Sequence, residues 1–299
     1  MTILPDPAPE SAQRASSARR EVGTTLVFNF LVPSVVALQI APAHNGRGAL
    51  DEQLFVTRGD AGVGDDGEPV PVQFAFGPNN TRVHIIEAPV GPVSVNYSAT
   101  LTPAPDSWAA VTSSSAYDDD VISALRQSRY CPSDLLIPLA RAELNEFLGT
   151  DGIALAAASW VFERIAYLGG SSGPTDNAVD TLLTRRGVCR DFAHLTITLC
   201  RALGVPARLA SVYAPGLVQM DFHAVVEVWR NGAWEVLDAT RLAPRSSLVR
   251  IATGRDAADT SFAATLRGDV ELTFAEVYAV VDGRLPADDH EAVTTLAYG

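Results

Sequence analysis

Three residues of this chain have the types and spacing needed for nucleophilic acyl transfer: Cys189, His223 and Asp238. Cys189 stands in RRGVCRDFAHLTITLCRALGVPAR, where a Gly-Val turn delivers it to a helical pattern with Phe192, Leu195, Leu199 and Leu203 at three- and four-residue steps. In the first turn of a helix, unpaired backbone N–H groups and the positive end of the dipole favour thiolate over thiol. Downstream, DFHAVVEVWRNGAWEVLDATR holds two β-type runs joined by Asn231-Gly232, the strongest short hairpin signal. That loop pairs Arg230 with Ala233, Trp229 with Trp234, Glu227 with Val236, Val225 with Asp238 and His223 with Thr240. Alternation puts His223, Val225, Asp238 and Thr240 on one face, with His223 and Asp238 as cross-strand diagonals about 7 Å apart at the backbone. There an imidazole takes the thiol proton and returns it to a leaving amine, while a carboxylate fixes its tautomer and steadies its charge.

Asp221 and Glu227 are alternative partners for the imidazole. Asp221 shares the parity of His223 but lies along the same strand, about 6 to 7 Å away, so the cross-strand Asp238 is preferred. The other candidate groups have simpler readings. Cys200 lies about 16 Å along the helix from Cys189, too far for a disulfide, and reads as a core residue. Cys131, in RYCPSD, reads as structural. His194 is turned about 140° from Cys189 on the helix and reads as a buried, hydrogen-bonded histidine. Arg190 and Asp191 read as a local salt-bridge or capping pair, Trp160 and Tyr167 as core packing, His84 as a strand residue and His44 as a turn residue.

The segment GVCRDFAHLTITLCRALGVPARL, followed by DFHAVVEVW and WEVLDATRLAP, resembles the core of the transglutaminase-like superfamily, in the bacterial branch related to papain-fold cysteine proteases. The likeness covers roughly residues 160–250, and SRYCPSD and TGRDAAD also look like members of that branch. The resemblance implies Cys189 as nucleophile, His223 as general base and Asp238 as third member. Many relatives carry an aromatic residue directly after the histidine; here it is Ala224, which makes the acyl-acceptor side roomier. The family also implies an N-terminal β region ahead of the catalytic core, and an aromatic side chain near the oxyanion, a place open to Trp160 or Tyr167.

The 299-residue chain, 47% hydrophobic and 19% charged, is long enough for about two domains, each with its own core. A net charge of −13 argues against a nucleic-acid partner, since phosphate neutralisation needs clustered Lys and Arg. No apolar run approaches the roughly 20 residues of a spanning helix, so no membrane partner is expected. Three cysteines without metal-ligand spacing fit a reducing compartment, and a cytoplasmic location is expected.

Taken in order, residues 1–20 read as a disordered tail and 21–105 as an N-terminal antiparallel β-sandwich domain. Its strands are TTLVFNFLV, VVALQIA, DEQLFVTR, VPVQFAF, TRVHIIEAP and PVSVNYSATLT, separated by HNGRG, GDAGVGDDGE and FGPNN. Asp60, Asp65 and Asp66 lack a calcium spacing and read as solvated loop. Residues 106–120 are a linker, with Asp118, Asp119 and Asp120 capping the helix VISALRQ. Residues 121–299 form the catalytic domain. Its helices are LARAELNEFL, IALAAASWVFERIAYL and the one opened by Cys189, to which VDTLLTRR leads, with a papain-like or transglutaminase-like sheet behind them. The last strand, DVELTFAEVYAVVDG, fits either the catalytic sheet or the N-terminal one.

The fold class is thus α+β, and the function a cysteine-dependent amide acyl transfer, with hydrolysis of a peptide or protein amide favoured over transfer to an amine. A non-catalytic binding module is the second reading. A metal hydrolase built on His223, Asp238 and Asp221 is the third; no second histidine lies close by, and neither metal nor cofactor is expected.

Overall fold

The computed structural model describes residues 18–44, 48–59, 67–102 and 118–296. The expected tail up to residue 17, most of the linker, and Asp60, Asp65 and Asp66 lie outside the described residues. The first half supplies strands β1 (Arg20–Phe30), β2 (Ser34–Leu38), β3 (Ala49–Arg58), β4 (Glu68–Pro69), β5 (Val72–Phe76), β6 (Arg82–Ala88) and β7 (Gly91–Thr102). Next come α1 (Asp119–Ser123), α2 (Ile137–Glu143), α3 (Ile153–Arg164), β8 (Ala166–Tyr167), α4 (Ala178–Thr184), β9 (Arg186–Gly187) and α5 (Cys189–Ala202). The rest is β10 (Ala207–Tyr213), β11 (His223–Arg230), β12 (Ala233–Leu237), β13 (Val249–Gly254), α6 (Ala257–Thr260), β14 (Ala263–Arg267) and β15 (Val270–Val281).

Alternating burial along β1 and β7 turns Leu26, Phe28, Phe30, Val93 and Val95 inward, as a period-two pattern requires. Two antiparallel sheets share that core: β15-β1-β7-β3-β4 and β14-β2-β6-β5. The C-terminal strands β14 and β15 therefore pair in the sheets of the first half, the second of the two places open to the last strand. β15, twelve residues long, pairs along the whole of β1 from Arg20↔Val281 to Phe30↔Val270. The catalytic-side sheet, β12-β11-β10-β13, has strands of five to eight residues and offers nothing of matching length.

Against that sheet lies α5, buried from Asp191 to Arg201 and flanked by α3 and α4. Gly204, at φ +79, takes the left-handed conformation that ends the helix. Leu195, Leu199, Leu209, Val226 and Val228 join helix and sheet in one apolar cluster. The two halves are also tied by polar contacts: Arg20 donates to the carbonyls of Ser246 and Ser247 at 2.7 and 2.9 Å, and the Tyr213 hydroxyl to Ile40 O at 2.7 Å. No helix among the described residues is long and apolar enough to cross a membrane.

Two expected helices are shorter than their patterns. α1 ends at Ser123, and LARAELNEFL breaks after Glu143 into a single 3₁₀ turn, Asn145–Phe147. The Asp118 carboxylate accepts from Val121 N at 3.0 Å, the capping role expected of it.

Candidate active site

Cys189 is the first residue of α5 and is half-buried. Its placement is braced from behind. The Asp191 carboxylate folds back to accept from Val188 N at 2.8 Å and from the Ser172 hydroxyl at 2.5 Å. Gly187 leaves the room for this: a Cβ there would lie 2.6 Å from the Asp191 Cβ. Arg190 donates to Gly173 O at 2.7 Å and reaches Asp191 at 3.4 Å. The pair therefore both caps the helix and ties it to the 171–176 loop.

The β11–β12 hairpin has the expected register at Arg230↔Ala233, Trp229↔Trp234 and Glu227↔Val236. Asn231 (φ 50) and Gly232 (φ 81) both take positive φ, as a type I′ loop demands. The ladder stops at Val226↔Leu237, so the expected pairs Val225–Asp238 and His223–Thr240 do not form. Asp238 instead sits just past the strand and is gripped by Thr240, whose backbone N–H and hydroxyl donate to Oδ1 at 2.8 and 2.7 Å. Its other oxygen, Oδ2, lies 2.9 Å from His223 Nε2. Both side chains are 1% exposed.

Burial alone would push the His223 ring down, but the Asp238 charge and hydrogen bond, followed by Cys189, raise its pKa to about 10. Burial likewise opposes ionisation of Asp238, yet His223 and Thr240 bring its carboxyl below the ordinary value. The second ring nitrogen, Nδ1, is buried without a hydrogen-bond partner among the described residues. Cys189, which lines the same cleft as His223, adds to the rise in the ring's pKa. The imidazole thus has an acid on one nitrogen and leaves the other unbonded.

Cys189 and His223 line a cleft of about 540 Å³, whose walls also include Tyr130, Ala224, Phe222 and Phe262. The last two rings stack at 4.9 Å, a flat apolar wall. Tyr167 and Trp160, read alike from sequence, part company. Trp160 is buried and donates to Glu143 at 2.8 Å. Tyr167 is 47% exposed; burial and the Cys189 charge raise its pKa to about 12, while the nearby Cys189 backbone N–H opposes them. The parallel β8–β9 bridge brings it there, pairing Tyr167 with Gly187.

Asp221 also lines the cleft, but its carboxylate accepts from Phe222 N at 2.7 Å rather than from the imidazole; burial raises its pKa. Glu227 lies fully buried, bonded to Arg208 at 2.8 Å and to Arg250. Cys131 and Cys200 are buried, and burial pushes both thiols up to about 12. His194 accepts from Ala257 N at 3.1 Å and stacks on Tyr130 at 5.1 Å, with burial lowering its pKa. His84 is buried in β6 against Phe74. Among the described residues no three His, Cys, Asp or Glu side chains group as a metal site would need.

Sequence reasoning missed Thr240 and undervalued Tyr167. The signal for Thr240 was present in DAT, where an aspartate two residues ahead of a backbone N–H invites an Asx-type turn. For Tyr167 the family resemblance left the choice with Trp160 open, since a two-residue bridge to a distant segment positions it.

Residues 144–239 match the family model described as transglutaminase-like superfamily. A crystal structure from Cytophaga hutchinsonii, of a protein given a provisional cysteine-protease name, is 31% identical, with a TM-score of 0.80 over 92% of this chain and 96% of that one. An uncharacterized protein of Mycobacterium leprae is 31% identical over 113 residues; this is 35% of the present chain and 40% of the relative, so the match spans less than half of that protein. The periplasmic domain of TgpA from Pseudomonas aeruginosa is 20% identical over 80% of this chain and 94% of its own, with a TM-score of 0.37. With the family model covering Cys189, His223 and Asp238, and a 31% identical fold shared over nine-tenths of its length, the chain belongs to the transglutaminase-like superfamily.

Proposed function

We propose that the chain is a cysteine-dependent amide hydrolase acting on peptide or protein amides through Cys189, His223 and Asp238. The observation that carries the reading is the buried His223, bonded to Asp238 at 2.9 Å and lining one open cleft together with Cys189. The Cys189 thiolate attacks the amide carbonyl, and charge moves onto the carbonyl oxygen. The backbone N–H of Cys189, with the Tyr167 hydroxyl beside it, supplies the donors for that oxygen. The imidazolium protonates the leaving amine, the C–N bond breaks and a thioester remains. Neutral His223 then takes a proton from water, which attacks the thioester; the acid leaves and the thiol is restored.

Water rather than an amine is the acceptor in this reading because Ala224 leaves the face beside His223 open within a cleft of about 540 Å³. The provisional cysteine-protease name of the Cytophaga hutchinsonii protein agrees with it. The test incubates wild type and Cys189→Ala with glutamine-containing peptides and peptide amides, with and without a primary amine, and identifies products by mass spectrometry. Hydrolysis products that need Cys189 and dominate in the presence of amine are expected. Amine adducts in their place would make the chain a transferase, and turnover by Cys189→Ala would sink the cysteine mechanism.

A further inference from the structure

A row of three rings runs from the core to the wall of the Cys189 cleft. Tyr213 is fully buried, Phe222 lies 5.6 Å from it, and Phe262 stacks on Phe222 at 4.9 Å with an angle of 21° between the planes. Phe222 and Phe262 are half-buried against the apolar core of the first half, and both line the cleft. Phe222 directly precedes His223, so the row stands beside the imidazole.

Two consecutive residues after β2 hold this row at both ends. Gln39 N–H donates to Phe262 O at 2.9 Å, and Ile40 O accepts from the Tyr213 hydroxyl at 2.7 Å. Tyr213 closes β10 of the catalytic-side sheet, whereas Phe262 leads into β14, which pairs with β2. The N-terminal sandwich therefore shapes the cleft without supplying any of the three reacting residues. Rings braced in this way lose little rotamer freedom when a ligand arrives, so apolar contact turns into affinity with less loss.

The rest of the lining agrees in character. Leu209, Ile251, Ala257 and Ala258 are apolar. Apart from Cys189 and His223, the ionisable side chains that line the cleft are Tyr130, Arg190 and Asp221, and each is engaged within the protein. The Tyr130 hydroxyl donates to Pro174 O at 2.9 Å, Arg190 donates to Gly173 O at 2.7 Å, and Asp221 accepts from Phe222 N at 2.7 Å. Such a wall sorts side chains by apolar area and ring stacking rather than by charge.

We propose that Phe222 and Phe262 form a specificity subsite for an aromatic side chain next to the amide that is cleaved, so that the substrates are peptides or proteins with Phe, Tyr or Trp at that place. The proposal rests on the hydrolase reading for its reaction, while the ring contact itself needs no turnover.

The experiment is isothermal titration of the full chain carrying Cys189→Ala with acetylated peptide amides of one sequence. One residue is varied among Phe, Ala, Lys and Glu, in one series ahead of a central amide and in another after it; wild type is assayed for cleavage of the same peptides. In at least one series the Phe peptide should bind roughly 10- to 100-fold more tightly than the Ala peptide, with Lys and Glu no better than Ala. Adding Phe262→Ala should bring Phe and Ala peptides within about threefold of each other. Phe262→Leu, which keeps apolar packing on the core, should lose most of the preference too and keeps the test open if the alanine variant does not fold. No binding by the Phe peptides, equal binding of Phe and Ala, tighter binding of Lys or Glu, or a preference unchanged in Phe262→Leu would overturn the proposal. Aromatic preference in binding without cleavage by wild type would sink the hydrolase reading and leave the subsite standing, and cleavage without that preference would do the reverse.

Discussion

Replacing Asp238 by Asn keeps the size and removes the charge, and the surrounding hydrogen bonds decide how the ring responds. Thr240 N–H is a fixed donor 2.8 Å from Oδ1, so an asparagine must turn its carbonyl there and present its NH₂ to His223 Nε2. Nε2 then has to accept, the ring becomes neutral, and its proton moves to Nδ1, on the side of the sulfur. A ring in that tautomer cannot take the thiol proton. The pKa of His223, raised from 6.5 to about 10 against the opposing effect of burial, is a net shift worth roughly 5 kcal/mol at about 1.4 kcal/mol per pH unit. Cys189 supplies part of that, which leaves about 2–4 kcal/mol to Asp238. The expected loss in kcat/KM is therefore roughly 30- to 1,000-fold. A substrate-free assay reads the same chemistry: the rate at which iodoacetamide labels Cys189 at pH 6 to 7, resolved by peptide mass spectrometry from labelling of the buried Cys131 and Cys200. Asp238→Asn should slow Cys189 labelling by at least tenfold. Labelling within threefold of wild type would refute the reasoning, because the acid would then contribute nothing to the ring.

Tyr167→Phe removes a hydroxyl near the Cys189 N–H without emptying a core site; kcat should fall about 10- to 100-fold with stability unchanged, and an unaltered kcat would remove the phenol from the oxyanion account. The pH profile of kcat/KM should hold through neutrality and fall as pH passes about 10, where the His223 imidazolium loses the proton it must deliver to the leaving amine. The same ring affects stability: its folded pKa lies above the unfolded 6.5, so its contribution is complete below about 6.5 and lost as pH rises toward 10, which denaturant melts across that window would detect. Glu227→Gln, which leaves Arg208 and Arg250 buried with no carboxylate between them, should cost about 3–5 kcal/mol in urea unfolding; a loss under 1 kcal/mol would contradict the buried cluster.

The features legible in the sequence were local ones. Asn231-Gly232 sets its own register, so Trp229 opposite Trp234 comes from two residues. The start of α5 at Cys189 likewise comes from a turn and an apolar period that a short window contains. The features that stayed hidden depend on distant partners. β15 joins β1 across about 250 residues, and its alternating pattern fits any sheet with one open edge. Arg201, on a helix face that would ordinarily be solvated, is 5% exposed because its guanidinium satisfies the carbonyls of Ala124, Ala207 and Arg255. No spacing rule announces a cation placed to bind three loop ends.

The site itself lies between these cases, and the place where the predicted ladder fails shows why. Had pairing run on through Val225–Asp238, the Asp238 backbone would have been tied to β11 and its carboxylate held only by the pleat. The chain instead leaves the sheet after Leu237, and the freed turn lets Thr240 hold one carboxylate oxygen from two donors while the other faces His223. Parity still placed His223 and Asp238 where their side chains meet, one strand step beyond the last pair. The His223–Asp238 contact therefore goes with a regular pattern that ends one residue early, where a local hydrogen-bonding preference of Asp-Ala-Thr competes with the ladder.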